Sequence, residues 1–499
     1  MPKKKRQVVF IMTDTTRFDM LGCYGNKDMK TPNLDALAEE GVRFERAYTC
    51  QPVCGPARSS IFTGLFPHSN GSITNSYPLG ANVKTIGQRL RDNGIHTAFV
   101  GKWHLDGGDY FGLGICPDGW DEKYWYDMKC YLNELTPEER VKSRKQSTNA
   151  EGIPESFTYA SRCTDRALDF LEKNGDEDFF LTVSYDEPHD PFLCPEPYAS
   201  MYKDYEFPKA PNVWDTLEGK PFYQKLWAGN ARYADRDALK IKPSYFLGCN
   251  SFADHEIGKV IDAAKKYAPD AMIIFTSDHG DALQSHCLRG KGAAMYDEIA
   301  RIPLIVYGFG KGEVYKHPVS HINLVPTILE YMGIPVPKLM EGKSILPAIK
   351  DTEVRINDYV FTEFTRYEVD HDGFGGLQMM RAVFDGRYKL CIHLLDETDE
   401  FYDLQNDPYE MKNLIDYKSY ESERNRLHDA LLRNMDETRD PYRGYQWECR
   451  KWRKDAPEPD YENHRYTRQR ENEEYEPRQF DYSTGLEMTA ATRIKPVAK

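Results

Sequence analysis

Met272–Asp281 reads MIIFTSDHGD: a short run fit for a buried strand, Met272–Thr276, leads straight into Ser277-Asp278-His279-Gly280-Asp281. A strand covered on both faces is a continuous apolar run, and the polar residues after it stand at its carboxyl end. Three other stretches repeat the arrangement. Val8–Met12 is followed by Thr13-Asp14-Thr15, Thr97–Val100 by Gly101-Lys102-Trp103-His104, and Phe179–Tyr185 by Asp186-Glu187-Pro188-His189-Asp190. Leu304–Tyr307, after Pro303, is a fifth run without such an ending. Segments of helical spacing lie between: Asn33–Glu40 stopping at Gly41, Thr85–Asp92 stopping near Gly94, Thr158–Lys173 and Phe252–Tyr267. Strands alternating with helices predict an α/β body around a largely parallel sheet. Ligands of such sheets sit beyond the carboxyl ends of the strands, so Asp14, Lys102, His104, His189, Asp278 and His279 are expected to meet at one edge. One Asp or His after a strand is as readily a turn or cap residue. Four strands ending alike favour a polar site.

The chain has 499 residues, 40% hydrophobic and 29% charged, which is enough for a large core. Its net charge of −14 excludes a nucleic-acid binder that works by counterion release, while leaving room for a local basic pocket. No apolar run approaches the ~20 residues of a membrane span. MPKKKR followed by VVFIM is too short for a secretory signal, and KKKR reads as a solvated start ahead of the first strand. The 11 cysteines, scattered from Cys23 to Cys449, show no regular framework and are expected to be reduced. These features together predict a cytoplasmic enzyme with neither a nucleic-acid nor a membrane partner. Beyond about residue 375 the texture changes. Arg381–Phe384, the Asp385-Gly386 turn and Arg387–Ile392 form a hairpin pattern; Phe401–Leu404 and a helix near Tyr420–Asn434 complete a small unit. The expected division is a main body over 1–375, an α+β subdomain with an antiparallel sheet over 376–438, and a polar extension over 439–499. That extension reads equally as a solvated tail or as an arm laid on a neighbouring subunit.

Cys54-Gly55-Pro56-Ala57-Arg58, followed by SSIFTG, is the sharpest local feature. Pro56 suits the first position of a helix and Gly64 its end, which places Cys54 at a helix N-terminus. Unpaired amides and the helix dipole favour negative charge there, a thiolate or a bound oxyanion. Arg58, one turn on, returns to the same face and can hold that anion. A buried, inert cysteine is the plain alternative.

C-x-P-x-R resembles the maturation signature of the type I sulfatases, and the likeness extends well beyond it. It takes in VVFIMTDTTR, TPNLDALAEEGVRFERAY, TGLFPHSNG, GKWHL, EPHDPF, TSDHGD, KGAAMYDEIARIPLIV, HINLVPTILEYMGIPVP and FYDLQNDPYEMKNL, in the family's order over residues 7 to 415. The resemblance implies an alkaline-phosphatase-like fold. It also implies hydrolysis of a sulfate monoester, of a sugar or an aryl alcohol, to the alcohol and inorganic sulfate. Cys54 would be oxidised by a formylglycine-generating maturation enzyme to Cα-formylglycine (3-oxoalanine), whose hydrate attacks sulfur. A divalent cation, calcium first, would be bound by Asp14, Asp278, His279 and the hydrate oxygen at Cys54. Asp278 would also take the nucleophile's proton. Arg58 and Lys102 would hold the formylglycine and the sulfate oxygens; Lys291 and His189 would bind sulfate and protonate the leaving alcohol. His104 would deprotonate the second gem-diol oxygen, expelling sulfate and restoring the aldehyde. Asn75 is a further candidate substrate contact. Tyr110, Trp120, Tyr124, Trp125 and Tyr126 are read either as a stacking wall for a sugar or aryl group or as aromatic core.

Two positions depart from the family's pattern. Thr15 stands where a second aspartate is usual, and His279 where asparagine is. The exchange makes the site less anionic and moves metal preference from calcium towards manganese or zinc. The related phosphonate monoester hydrolases and phosphodiesterases share a reduced aspartate set and long C-terminal arms, so a homo-oligomer built through 439–499 is one expectation. GKWHL, with both Lys102 and His104, favours a sulfate ester. Phosphonate or phosphodiester hydrolysis comes second, and a silent anion-binding relative third, because Cys54 and Arg58 are both kept.

Overall fold

A computed structural model describes residues 5–309, 312–367 and 376–456. Four of its strands, Gln7–Thr13, His96–Gly101, Phe179–Ser184 and Met272–Ser277, run parallel and are those expected from the sequence. They form one half of a seven-stranded sheet in the order 96–101, 179–184, 7–13, 272–277, 304–307, 41–44, 313–315. Leu304–Tyr307 lies antiparallel to 272–277, Gly41–Phe44 antiparallel to it in turn, and Glu313–Tyr315 closes the edge parallel to 41–44. The sheet is therefore mixed and mostly parallel.

Alternation along the strands explains their apolar runs. Val9 and Ile11 pack into one core layer with the helices Tyr159–Asn174 and Ser244–Tyr267, while Val8, Phe10 and Met12 pack into the opposite layer with Cys54–Thr63 and Leu324–Tyr331. Neither face of these strands meets water, so both must be apolar. The helix expected from Phe252 starts earlier, at Ser244. Gly248 lies inside it, where a Cβ would come within 2.2 Å of the Tyr198 carbonyl oxygen, so close packing demands glycine. Gly101 matters for the site. Its φ of +119° is open to glycine, a Cβ would meet the Ser184 carbonyl at 1.9 Å, and the turn lets Lys102 N–H donate to that carbonyl at 2.8 Å.

The C-terminal sheet is antiparallel: Val360–Arg366, Leu377–Phe384, Tyr388–His393 and Glu400–Asp403. Its first strand comes from before residue 376. The hairpin turns at Asp385-Gly386, where Gly386 has φ +105°. Helix Glu421–Glu437 covers the sheet through Leu427, Leu431 and Met435. Trp447 is wholly buried in the same cluster, so the extension begins as packed chain. The expected oligomer arm rests mainly on residues 457–499, which lie outside the described residues. Among the described residues no helix is long and apolar enough to cross a membrane, and the cysteines are unbridged.

Two buried histidines shape the acid limb of stability. Burial lowers His321 to about 3, its Nε2–H donating to the Ser277 carbonyl at 3.0 Å; burial likewise lowers His428 to about 4, with Nε2–H to the Trp447 carbonyl at 2.7 Å. Each binds a proton more readily unfolded than folded, so its contribution is complete above about 6.5 and is lost as pH falls towards 4 and below. Thermal unfolding followed from pH 7 to 4 should show this decline, and His428→Gln should make it shallower.

Candidate active site

The carboxyl ends of the four parallel strands and one buried helix build the site. Helix Cys54–Thr63 begins at Cys54 itself, two residues before the start expected from Pro56. Proline is tolerated there because first-turn amides have no intrahelical acceptor. All ten helix residues are buried, and Gly64, at φ +71°, ends it.

Asp14, Cys54, Asp278 and His279 each offer a ligand atom, and these four atoms lie within 4.8 Å of one another. Cys54 Sγ is 3.2 Å from His279 Nε2 and 3.7 Å from Asp14 Oδ1. His279 Nδ1–H donates to the Gly280 carbonyl at 2.9 Å, which turns the Nε2 lone pair towards the cluster, the usual outer support of a metal-ligating imidazole. Two carboxylates, an imidazole and residue 54 fit a divalent cation. Thr15, at φ +69°, donates through its hydroxyl to Asp14 Oδ1 at 2.6 Å and through its N–H to Asp278 Oδ1 at 3.0 Å. Where a second aspartate would add charge, this residue orients the two carboxylates present.

Cations surround the cluster. Arg58 is wholly buried; it donates to Asp14 Oδ2 at 3.1 Å, Asp278 Oδ2 at 3.2 Å, the Lys102 carbonyl at 2.6 Å and Ser184 Oγ at 2.7 Å. Its guanidinium is thus engaged by protein groups on several sides. Lys102 Nζ is 2.8 Å from Asp14 Oδ2 and 3.0 Å from Asp186 Oδ1, and Lys291 Nζ is 2.7 Å from Cys54 Sγ. Burial pushes Asp14 up, but Lys102 and Lys291 outweigh it and hold the carboxyl well below its usual range. Asp278 goes the other way: burial, then the neighbouring Asp14 charge, raises it to about 6.

Above the cluster opens a cleft of about 660 Å³. Cys54, Asn75, His104, His189 and Lys291 line its floor end, and Tyr110, Phe111 and Tyr131 add aromatic wall. His104 has φ +58°. His189 is partly exposed, with Nδ1 3.0 Å from the Asp190 carbonyl. Asn75 Oδ1 accepts from the Gly55 N–H at 2.8 Å, so it covers an amide of the Cys54 helix. Every expected site residue is therefore at the cluster or on the cleft. Of the aromatic segment, Tyr110 reaches the cleft, while Trp120, Tyr124, Trp125 and Tyr126 belong to the core layers.

Three further residues were not singled out from sequence. Asp186 pairs with Lys102 and with the Tyr110 hydroxyl, Ser184 Oγ supports Arg58, and buried Glu187 is raised to about 8 by burial and by Asp186. Asp186 carried the signal already used for Asp14 and Asp278, an acid directly after a buried strand.

The family model described as Sulfatase matches residues 6–334, and the model for the C-terminal part of N-sulphoglucosamine sulphohydrolase matches 290–437. The chain belongs to the sulfatase family. As such it is a sulfuric ester hydrolase. It is 44% identical to the uncharacterized sulfatase YidJ of Escherichia coli K12 over 97% of both chains. Among solved structures, a phosphonate monoester hydrolase of Agrobacterium radiobacter has a TM-score of 0.74 at 23% identity, covering 87% of this chain and 96% of its own. A protein solved with its substrate D-glucosamine-2-N,6-O-disulfate has a TM-score of 0.73 at 21% identity, covering 88% and 99%. At such identities the two structures speak for the fold alone, and this sulfatase shares their alkaline-phosphatase-like architecture.

Proposed function

We propose that this sulfatase hydrolyses a sulfate monoester of a sugar or an aryl alcohol, after a maturation enzyme has converted Cys54 to formylglycine. The observation that carries the reading is the convergence of Asp14, His279 and Lys291 on Cys54 Sγ at the floor of an aromatic-walled cleft. The names of relatives agree with such alcohols: an arylsulfatase of Clostridium perfringens and an N-acetylglucosamine-6-O-sulfatase of Bacteroides thetaiotaomicron, 27% and 24% identical. Formylglycine at residue 54 would supply an oxygen nucleophile in its hydrated form. Asp14, Asp278, His279 and residue 54 would hold a divalent cation, which would supply Lewis acidity and lower the pKa of a hydroxyl at residue 54; calcium is the first assignment, with manganese or zinc favoured by His279 and Thr15.

The chain's own residues divide the remaining work. Lys102 and Lys291 draw the sulfate oxygens against residue 54 by charge-assisted contacts. Arg58 holds Asp14 and Asp278 apart and oriented, behind residue 54. Asp278 would take a proton from an oxygen at residue 54. His189, at the cleft, gives a proton to the leaving alcohol, and His104 takes one at residue 54 when sulfate departs. Asn75 fixes the helix start beneath them. Hydrolysis of phosphonate monoesters or phosphodiesters is the second reading, supported by Thr15 in place of an aspartate.

Peptide mass spectrometry across Cys54, on protein co-produced with a maturing enzyme, tests the first step. A mass loss matching thiol-to-aldehyde conversion is expected; an unmodified thiol in active protein would remove the nucleophile. Lys102→Ala and His104→Ala should each reduce sulfate ester turnover by roughly 100-fold or more. Kinetics on paired sulfate and phosphonate esters decide between the two readings.

A further inference from the structure

Lys291 reaches Cys54 from a long loop whose one regular turn is Ser285–Cys287, well short of the lysine. That loop has an unusual backbone. Leu283, Gln284, His286 and Cys287 have φ values of +43°, +73°, +54° and +60°, a region that side chains other than glycine's avoid. The loop folds back on itself, Ala282 N–H to the Gly290 carbonyl at 2.8 Å and Gln284 N–H to the Leu288 carbonyl at 2.9 Å, so its conformation fixes where Lys291 emerges. Conformations of this kind persist only where surrounding contacts enforce them, and they gather at functional sites.

The enforcing contacts are buried and come from a segment that no part of the reaction uses. His286 lies flat on Tyr296, ring centres 3.6 Å apart. Its Nδ1–H donates to Asp215 Oδ2 at 2.6 Å, and Nε2 accepts from Asn212 Nδ2 at 3.3 Å. Lys220 Nζ donates to the same Asp215 oxygen at 2.6 Å and to the Glu410 carbonyl at 2.6 Å. Asp215, Lys220 and His286 are all buried and lie outside the cleft. On the far side of Lys291, Gly292 has φ +144° and would place a Cβ 2.5 Å from the Tyr367 hydroxyl, which accepts the Ala293 N–H at 3.0 Å. The lysine is thus held between two anchors, one at His286 and one at Tyr367.

We infer that Asp215 and His286 are positioning residues for Lys291, so that the buried 212–220 segment sets the affinity of the site for the sulfate group. The inference rests on Lys291 as a sulfate-binding residue. Asp215→Asn keeps the Oδ1 that accepts the Leu217 N–H at 2.8 Å and alters only the oxygen facing His286 and Lys220. The test uses matured full-length protein, with inorganic sulfate binding measured by calorimetry and KM and kcat measured on a sulfate monoester. Asp215→Asn should weaken sulfate binding and raise KM by about tenfold or more, with a far smaller change in kcat, since a small misplacement of a binding group carries that cost. In a Lys291→Ala background the same substitution should change sulfate binding by less than twofold, because the residue through which it acts is gone. His286→Phe, which keeps the stack on Tyr296 and loses the Asp215 bond, should repeat the result if Asp215→Asn does not fold. An equal loss of sulfate affinity with and without Lys291, or no loss in its presence, would overturn the inference. So would wild-type protein that binds no sulfate. Protein that binds sulfate but turns over no sulfate ester would instead sink the hydrolysis reading, while the binding cycle still decides the role of Asp215.

Discussion

Cys54→Ala should lower kcat/KM on a sulfate monoester by at least about 10⁴-fold, the scale on which loss of a covalent nucleophile is felt. The fold should survive. Cys54 contributes a single sulfur to a buried helix whose other nine residues are untouched, and the helix cap at Asn75 is made through the Gly55 amide. Thermal unfolding within a few degrees of the parent, together with loss of turnover, would separate a missing nucleophile from a damaged site. Retained turnover would take residue 54 out of the chemistry altogether.

Arg58→Met is the complementary case, with its largest effect on stability. Asp14 and Asp278 are wholly buried, and Arg58 donates to both. Removing one partner of a buried ionic group costs about 3–5 kcal/mol, because the remaining charge loses compensation; Lys102, 2.8 Å from Asp14 Oδ2, still compensates Asp14, so the loss falls mainly on Asp278. Here Ser184 Oγ loses a donor as well, and the Lys102 carbonyl is left with the Ser184 hydroxyl. Urea unfolding at pH 7 should show a loss of this size, with turnover gone. The pH dependence has a definite sign. Without the guanidinium the folded-state values of both carboxyls rise, so the folded form takes up protons more readily than before. The deficit should therefore shrink as pH falls from 7 towards 5. A deficit independent of pH would mean that Arg58 stabilises by packing alone.

Much of this was legible in the sequence because the strands are buried on both faces and end in chemistry. Val8–Met12 and Met272–Thr276 could be recognised as apolar runs, and Asp14, Asp278 and His279 took their places from the rule that ligands gather beyond such ends. Gly41–Phe44 and Glu313–Tyr315 were missed, since strands of four and three residues at the mixed edge carry too little pattern. The first two turns of Ser244–Tyr267 were missed; Gly248 within them answers a contact with Tyr198 distant in sequence. In the site, residue types and order pointed to the cluster, but pairings did not follow from them. That Arg58 is engaged by Asp14, Asp278 and the 102 and 184 positions depends on four strands meeting, and the pairing of Asp186 with Lys102 on two of them. The Asp215–His286 pair had no signature in either segment.

The helix that opens at Cys54 is buried along its whole length, and Cys54 itself is 1% exposed. On the proposed reading of Cys54 as a formylglycine precursor, a protein catalyst could not reach the thiol once the sheet has closed around it, and maturation would be a matter of timing during synthesis. Asp278, which closes the site from the far side, lies 220 residues after Arg58. At about 5–20 residues per second, a ribosome leaves roughly 10–45 s between the two. The proportion of active molecules would then be set by competition between the modifying enzyme and the emerging fold, and slowing translation should raise it.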